Sequence, residues 1–494
     1  MIHTDVHFTT TDRKLSSLYE SAKNTLFSSV KPFGTRKLLT EAADSDTITL
    51  NTGILTAQTL ADYNTSVAYD CIRAFLVTLR KDGRLPASLT ERGGNIIPSY
   101  EVLTGFCFAE EAVRLCYLAK HKIPSYTEQL YETMRQFDDY LWTRHDLNAN
   151  GCLEIFDAKE SEEGPESGRF APLTMMLNGA ERSVSPFPVE TFDLMAEAYS
   201  IRNALCELAT LLGRKEEAEI WQRKADEVAA KVRGFLWLGG FSSCFDRDYR
   251  GSIISTLFVN NLFLLYYGVA NDKMADAIIS RHILDPKEFW TPMPLPTVAY
   301  NSNLFVNDPA PGFRGQPRGT TYLRAVPALE KYGWYSLQTA IGKKLLAATG
   351  KQNLFPVQFD PITCEPSDKD HQSRYAPTAA AVLETIKRFW GVYADRNTIC
   401  WGTMGHEETG ATSDYSFTWG NDIYRVEAEE KTTTGSLCGK RLFTVTAGTR
   451  VFTDTYGQSM RLVNVTDDPI DCICVLRNRT YSFRLAPDEM RQLN

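Results

Sequence analysis

The sequence predicts a mainly α-helical protein, built of helical hairpins set around a centre and followed by a small β domain. Three observations carry this. From about Thr59 to Val392 apolar residues recur three and four apart, the spacing that puts side chains on one helix face. These segments are joined alternately by tight turns and by long loops rich in Gly, Pro and aromatic residues. Beyond about Arg396 the period drops to two, as in RLFTVTAG (Arg441 to Gly448) and TYSFRLAP (Thr480 to Pro487), the alternation of a strand with one face buried.

Taken in order, residues 1–58 form a mixed N-terminal segment with one helix near Leu15 to Ser28 and short extended pieces such as Thr47 to Gly53. Residues 59–394 form the helical domain. Helices are expected within Ser66 to Arg80, Tyr100 to Ala119, Thr127 to Thr143, Ile253 to Val269, Thr320 to Tyr332 and Ala376 to Trp390. The clearest stripe is Ala218, Trp221, Ala225, Val228, Val232 and Phe235. It is preceded by Ile201, Leu205, Leu208 and Leu212, with Gly213 as the stop between two helices of a hairpin. Trp334, Leu337, Ile341, Leu345 and Ala348, closed by Gly350, make a third. Two loops, Gly151 to Glu190 and the proline-dense Leu284 to Pro317, are long enough to be functional and are expected to line one mouth of the helical domain. Residues 395–494 are the β domain.

A chain of 494 residues can hold one large helical domain and a smaller one. Its net charge of −8, with Lys and Arg scattered, disfavours nucleic acid and anionic membranes as partners. The apolar run Leu257 to Ala270 is too short to cross a bilayer, and MIHTDVHFTTTDRK has no apolar signal core, so a cytoplasmic protein is expected. On that expectation the 11 cysteines are reduced, and the sequons at Asn64, Asn464 and Asn478 are unused. The seven histidines do not cluster as zinc ligands, and no phosphate loop, dinucleotide fingerprint or nucleophile elbow is present, so no cofactor is required. One metal signal stands out: Asp146, Asn148, Asn150, Gly151 and Asp157 follow the spacing of a calcium loop. The plainer reading is an Asx-rich turn after a helix.

Several motifs then resemble a known clan. In order they are DGRLPAS (Asp82 to Ser88), RHDLNANGCLE (Arg144 to Glu154), ESGRF (Glu166 to Phe170), the hairpin LCELATLLGRKEEAEIWQRKADEVAAKV, GFRGQPRGTTYLRAVPALEKYG (Gly312 to Gly333) and FDPITCEP (Phe359 to Pro366). Together they resemble the glycoside hydrolases that include trehalases, family 63 processing α-glucosidases and mannosylglycerate hydrolase-like enzymes. The resemblance implies an (α/α)6 barrel of six hairpins with a C-terminal β-sandwich-like domain. It also implies inverting hydrolysis of an α-linked glucoside or a related small glycoside.

Inversion needs an acid on the leaving oxygen and a base on water at the opposite sugar face, about 6.5–9.5 Å apart. The resemblance puts the acid at the Asp of Glu-Ser-Gly-x-Asp, where this chain has Phe170 or, if Arg169 and Phe170 align with a later Arg-Phe, a deletion, and the base at a Glu, where it has Val357. The tryptophan of the clan's Arg-Gly-Pro-x-Trp is also lost from RGQPRG. Neighbouring carboxylates are the natural substitutes: Glu163 or Glu166 on one side, and Asp360, Glu365 or Asp368 on the other. Glu166 is the expected acid and Asp360 or Glu365 the expected base, with Arg169, Trp290, Tyr300, Arg314 and Gln358 binding sugar. Each has a plain reading beside this one: Glu166 as a salt-bridge partner of Arg169 or Arg182, Asp360 as a turn cap, and Trp290 and Tyr300 as loop anchors. The rival function is a non-catalytic carbohydrate-binding or scaffolding protein on the same barrel.

Overall fold

The computed structural model describes residues 2–493 apart from 104, 106–108, 121–122, 162, 165–166, 178–179, 310–313, 368–373 and 477–478; for 173–182 it gives the backbone alone. Among the described residues there are twelve α-helices: α1 (Arg13–Ser28), α2 (Thr52–Thr59), α3 (Thr65–Leu76), α4 (Ala109–Leu118), α5 (Pro124–Arg144), α6 (Phe192–Leu211), α7 (Lys215–Lys231), α8 (Asn260–Tyr267), α9 (Asp272–Ile278), α10 (Gly319–Lys331), α11 (Tyr335–Gly350) and α12 (Ala376–Trp390). None is long and apolar enough to cross a membrane.

The starts of these helices follow side-chain chemistry. The Asp12 carboxylate accepts from Lys14 N and Leu15 N, and Asn51, Asn64, Thr191 and Asn271 cap α2, α3, α6 and α9 in the same way. Asn64 of the first sequon is therefore a helix cap. Asn464 of the second is buried, with its amide donating to the carbonyls of Asp468 and Leu485. The predicted stop at Gly213 has φ of +76°, the left-handed turn that glycine permits between α6 and α7.

The helices pack in pairs: α2 with α3, α4 with α5, α6 with α7, α8 with α9, α10 with α11, and α12 with α1. One member of each pair continues a second set of contacts, from α4 through α6, α8, α10 and α12 to α2. At Gly319, where α10 begins, an added Cβ would lie 1.7 Å from Thr378 Oγ1, so glycine lets α10 and α12 touch.

Two antiparallel sheets form the C-terminal domain. The seven-stranded sheet runs Thr4–Thr10, Ser413–Trp419, Asp422–Ala428, Thr432–Leu437, Lys440–Thr446, Ile470–Leu476 and Arg479–Leu485. The five-stranded sheet runs Val392–Asp395, Thr398–Trp401, Thr449–Asp454, Met460–Asn464 and Met490–Leu493. The N-terminal segment is thus shared out: Thr4–Thr10 lies along Ser413–Trp419 in the β domain, while α1 packs on α12. The piece read as extended, Thr47 to Gly53, is a strand only over Thr47–Thr49, because Asn51 caps α2 immediately after it.

Where the C-terminal ends of α10 and α12 meet the β domain, charged groups are buried in pairs. Glu330 accepts from Arg388 Nε at 2.9 Å, Arg450 Nη1 at 3.0 Å and Tyr393 OH at 2.8 Å. Arg388 also meets Glu384 at 2.5 Å, and Lys387 bridges Glu384 and Asp62 at 2.7 and 2.8 Å. Arg114 completes the set, pairing with Asp62 at 2.6 Å and donating to Ala394 O at 2.9 Å. Burial alone would raise the Glu384 carboxyl, but Lys387 and Arg388 outweigh it and bring it down to about 2. Glu330 is lowered in the same way, Arg388 and Arg450 overcoming its burial.

Both groups ionise more readily in the folded chain, so their stabilisation is complete above the unfolded carboxyl value of about 4.3 and is lost as pH falls toward 2. Unfolding free energy from urea titrations should therefore be flat above about pH 5 and fall below it. Glu330→Gln should cost about 3–5 kcal/mol at neutral pH, since it takes from the buried Arg450 guanidinium its carboxylate partner.

Candidate active site

A cavity of about 120 Å³ opens where α2, α6 and α8 begin. Asn51, Glu160, Asp193, Glu197, Tyr267 and Arg324 are among its walls. The positive ends of these helix dipoles lie here, which favours oxygen-rich ligands. Asp193 and Glu197 stand four residues apart on α6 and so share a face. Tyr267 OH donates to Glu197 Oε1 at 3.1 Å, and a Cβ added at Gly105 would lie 1.3 Å from Glu197 Oε2. The Arg324 guanidinium lies over the Phe263 ring, 4.7 Å from its centroid.

Beneath this cavity Arg169 is the hub of a buried network, its side chain 1% exposed. The guanidinium lies against the rings of Phe170, Phe192 and Phe258, with centroids at 4.9, 4.8 and 5.7 Å. Nη1 donates to both oxygens of Glu163 at 3.1 Å and to Asp193 Oδ2 at 2.5 Å. Nε and Nη2 grip Asp246 through Oδ2 at 2.9 Å and Oδ1 at 3.0 Å. Asn260, first residue of α8, donates from Nδ2 to Asp193 Oδ2 at 3.1 Å and also to Glu163 Oε1. Among the described residues Asp193 Oδ1 is buried without a hydrogen bond, while the side chain as a whole is 24% exposed.

The sequence-predicted residues divide. Glu166 and Asp368 lie outside the described residues. Glu163 is brought to the site, but as a partner of Arg169. Arg169 itself is a correction: expected to bind sugar, it is buried among three carboxylates and spends its donors on them. Phe170, at the clan's acid position, is a core ring packed on Phe187. Val357, at the base position, is half-buried, and its carbonyl accepts from Gly319 N at the start of α10.

Neither expected base lines the cavity. Asp360 caps a turn: Oδ1 accepts from Ile362 N and Thr363 N, and Oδ2 from Asn307 Nδ2. Burial would raise it, yet these hydrogen bonds, led by that from Thr363 N, hold it below the usual carboxylate range. Glu365 is half-buried and paired with Lys351 at 2.6 Å. The expected sugar contacts also fall elsewhere. Gln358 is buried and donates to Ser367 O at 3.4 Å; the Lys344 ammonium lies over the Trp290 ring at 5.3 Å. Tyr300 is exposed edge-to-face with Phe305 at 4.8 Å, and Arg314 is exposed.

The calcium-like loop is occupied with itself. The Asp146 carboxylate accepts from the backbone of Asn150 and Gly151, and Asp157 caps its own short turn through Lys159 N. Asn148 and Asn150 turn their amide donors to Glu190. Their oxygens accept from the backbone within the loop, Asn148 Oδ1 from Asn150 N and Asn150 Oδ1 from Cys152 N, the hydrogen bonding of an Asx-rich turn. Among the described residues no His, Cys, Asp and Glu form a group that could hold a metal ion.

Sequence reasoning passed over Asp193, Glu197 and Glu160 because no clan motif contains them. The available signal was the pair of carboxylates four apart immediately after Thr191, a good helix cap.

Residues 54–374 match the family described as mannosylglycerate hydrolase MGH1-like glycoside hydrolase domains. Among solved structures, the GH63 mannosylglycerate hydrolase from Thermus thermophilus in complex with glucose is similar in fold, with a TM-score of 0.59 at 17% identity over 74% of this chain and 99% of that one. The neutral trehalase from Saccharomyces cerevisiae matches with a TM-score of 0.52 at 12% identity, over 75% of this chain and 79% of its own. A GH78 family rhamnosidase of a Bacillus species has a TM-score of 0.59 at 12% identity and covers 86% of this chain with 40% of its own.

Gly105→Ala should cost about 1–3 kcal/mol by overpacking against the Glu197 carboxylate. In a Glu197→Ala background that cost should largely vanish, a coupling that thermal melts of the two single variants and the double variant would measure.

Proposed function

The chain belongs to the mannosylglycerate hydrolase MGH1-like glycoside hydrolase family, and from that premise we propose that it hydrolyses a small glycoside in the cavity where α2, α6 and α8 begin. The observation that carries this reading is Asp193. It lines the cavity, has one oxygen fixed by Arg169 and Asn260, and keeps the other clear of any protein donor among the described residues. A carboxyl group so oriented is suited to protonating a leaving oxygen. Glu160 belongs to a different element, the short turn Ala158–Glu160, and is the carboxylate assigned to activating water across the sugar. The mechanism is then inverting, with both groups relocated from the positions now held by Phe170 and Val357.

The size of the cavity argues for a small substrate. At about 120 Å³ it is well below the range of about 300–1,000 Å³ usual for drug-sized ligands. A single sugar unit is its natural occupant, as in an α-linked glucoside or a related small glycoside. The paired helices and the ring of contacts from α4 to α2 are read as an (α/α)6 toroid of six hairpins, with the cavity at one mouth.

One observation favours a second reading, carbohydrate binding without turnover: the clan's acid and base positions both carry apolar side chains. Aryl glycosides and α-linked disaccharides, screened with wild type, Asp193→Asn, Glu160→Gln and Glu166→Gln, separate the two. Hydrolysis through the cavity predicts about 10²- to 10⁴-fold lower kcat for Asp193→Asn and Glu160→Gln with KM little changed. It also predicts a first product of inverted anomeric configuration by proton NMR. Loss confined to Glu166→Gln would move the acid to that residue, and calorimetric binding with no turnover would favour the second reading.

A further inference from the structure

A second cavity, of about 340 Å³, lies at the other end of the helices, where α10 and α12 meet the β domain. It falls within the range of about 300–1,000 Å³ usual for small-molecule sites, and sits between two domains, where such sites are common. Its walls hold the paired charges that join the domains, but the pairing uses up the carboxylates and leaves donors over. Arg388 of α12 spends Nε on Glu330 and Nη1 on Glu384, while its Nη2 makes no hydrogen bond among the described residues. Arg114 of α4 spends Nε on Ala394 O and Nη2 on Asp62, and its Nη1 is left over in the same way. Tyr335, which opens α11, is 6% exposed, and its hydroxyl has no partner among the described residues. Arg461, exposed in the strand Met460–Asn464, pairs with no carboxylate among them and lies over the Phe452 ring at 5.4 Å. All four of these side chains line the cavity.

We propose that this junction cavity is a binding site for a small organic phosphate, a phosphate monoester on a carbon skeleton of about monosaccharide size. Its unspent donors belong to four separate elements. That suits a tetrahedral oxyanion, with acceptor oxygens on several sides, better than a planar carboxylate, which one guanidinium fork can satisfy. Water can also satisfy such donors, but an oxyanion does so with charge, which makes the stronger bond. The carbon skeleton has a wall of its own in Leu55, Leu323, Pro327 and the Phe452 ring, which meets the Tyr335 ring at 6.0 Å. The site is separate from the cavity where α2, α6 and α8 begin and does not depend on the reading of that cavity as hydrolytic.

The carboxylates in the walls do not bar an anion, because each is already answered. Glu330 accepts from Arg388, Arg450 and Tyr393, and Glu384 is held by Arg388 and Lys387. Glu110 and Asp395 pair with Lys331 and Arg396 at 2.5 and 3.3 Å. Glu111 accepts from Tyr266 OH through Oε1, and burial pushes it up to about 7 against the pull of that hydroxyl, so it carries only part of a charge at neutral pH.

Isothermal titration calorimetry of the full chain tests this, with glucose 6-phosphate, inorganic phosphate and glucose as probes. Glucose 6-phosphate should bind saturably and about tenfold or more tighter than inorganic phosphate, because its skeleton adds apolar contact. Glucose should not displace it. Arg461→Ala and Tyr335→Phe should each weaken glucose 6-phosphate by about tenfold or more, the effect of losing a hydrogen bond to a charged group. Neither the Arg461 guanidinium nor the Tyr335 hydroxyl has a hydrogen-bond partner to lose among the described residues, so both variants should melt at the wild-type temperature, and the lost affinity then belongs to the site. Asp193→Asn should bind the probe as wild type does. The proposal is overturned if glucose 6-phosphate gives no saturable heat, if inorganic phosphate binds as tightly or glucose displaces it, or if either Arg461→Ala or Tyr335→Phe leaves the affinity unchanged. Loss of binding in Asp193→Asn also overturns it, since that would put the phosphate in the other cavity.

Discussion

Glu330 is the residue on which the two halves of the molecule are joined. It sits in the last turn of α10, where the negative end of the helix dipole would repel a carboxylate, and it is tolerated because Arg388 of α12 and Arg450 of the β domain both reach it. Lys387 and Arg388 occupy the last turn of α12, where cations are favoured. One end of the helical domain is thereby fixed to a sheet. The loops at the other end, released from holding the domain together, build the cavity.

The two buried networks use the same chemistry in different arrangements. At the junction with the β domain, Glu330, Glu384 and Asp62 face Arg114, Lys387, Arg388 and Arg450, and each carboxylate has at least two cationic partners. Such a set is inert: ionised throughout, it positions elements. Under the cavity Glu163, Asp193 and Asp246 all bond to the guanidinium of Arg169. A larger cavity, of about 340 Å³, lies at the junction, but most of the charged groups in its walls are committed to one another.

How much of this was legible in the sequence follows from the range of the forces involved. The Trp221 and Leu205 stripes, the stop at Gly213 and the alternation after Arg396 are local patterns, and they appear as helices, a turn and strands. The long motifs were enough to indicate the family. The site was not legible in the same way, because the carboxyl groups were sought next to the motifs that usually carry them. Asp360 and Glu365 sit beside such a motif, yet a turn and Lys351 claim them. Asp193 and Asn260 are ordinary residues at helix starts until folding brings α6 and α8 together over Arg169. No local pattern could reveal that meeting.

The strand Thr4–Thr10 carries a consequence for how the molecule comes into being. It is synthesised hundreds of residues before Ser413–Trp419, the strand it lies along, and among the described residues that is its one strand neighbour in the sheet. During translation it must wait, unpaired, while the helices that separate it from its partner form and pack. When the partner arrives, pairing closes a loop around the entire helical domain. The strand then works as a clasp: fastened last, it ties the earliest-made residues of the described chain to some of the latest, and opening it would loosen α1 from α12 behind it.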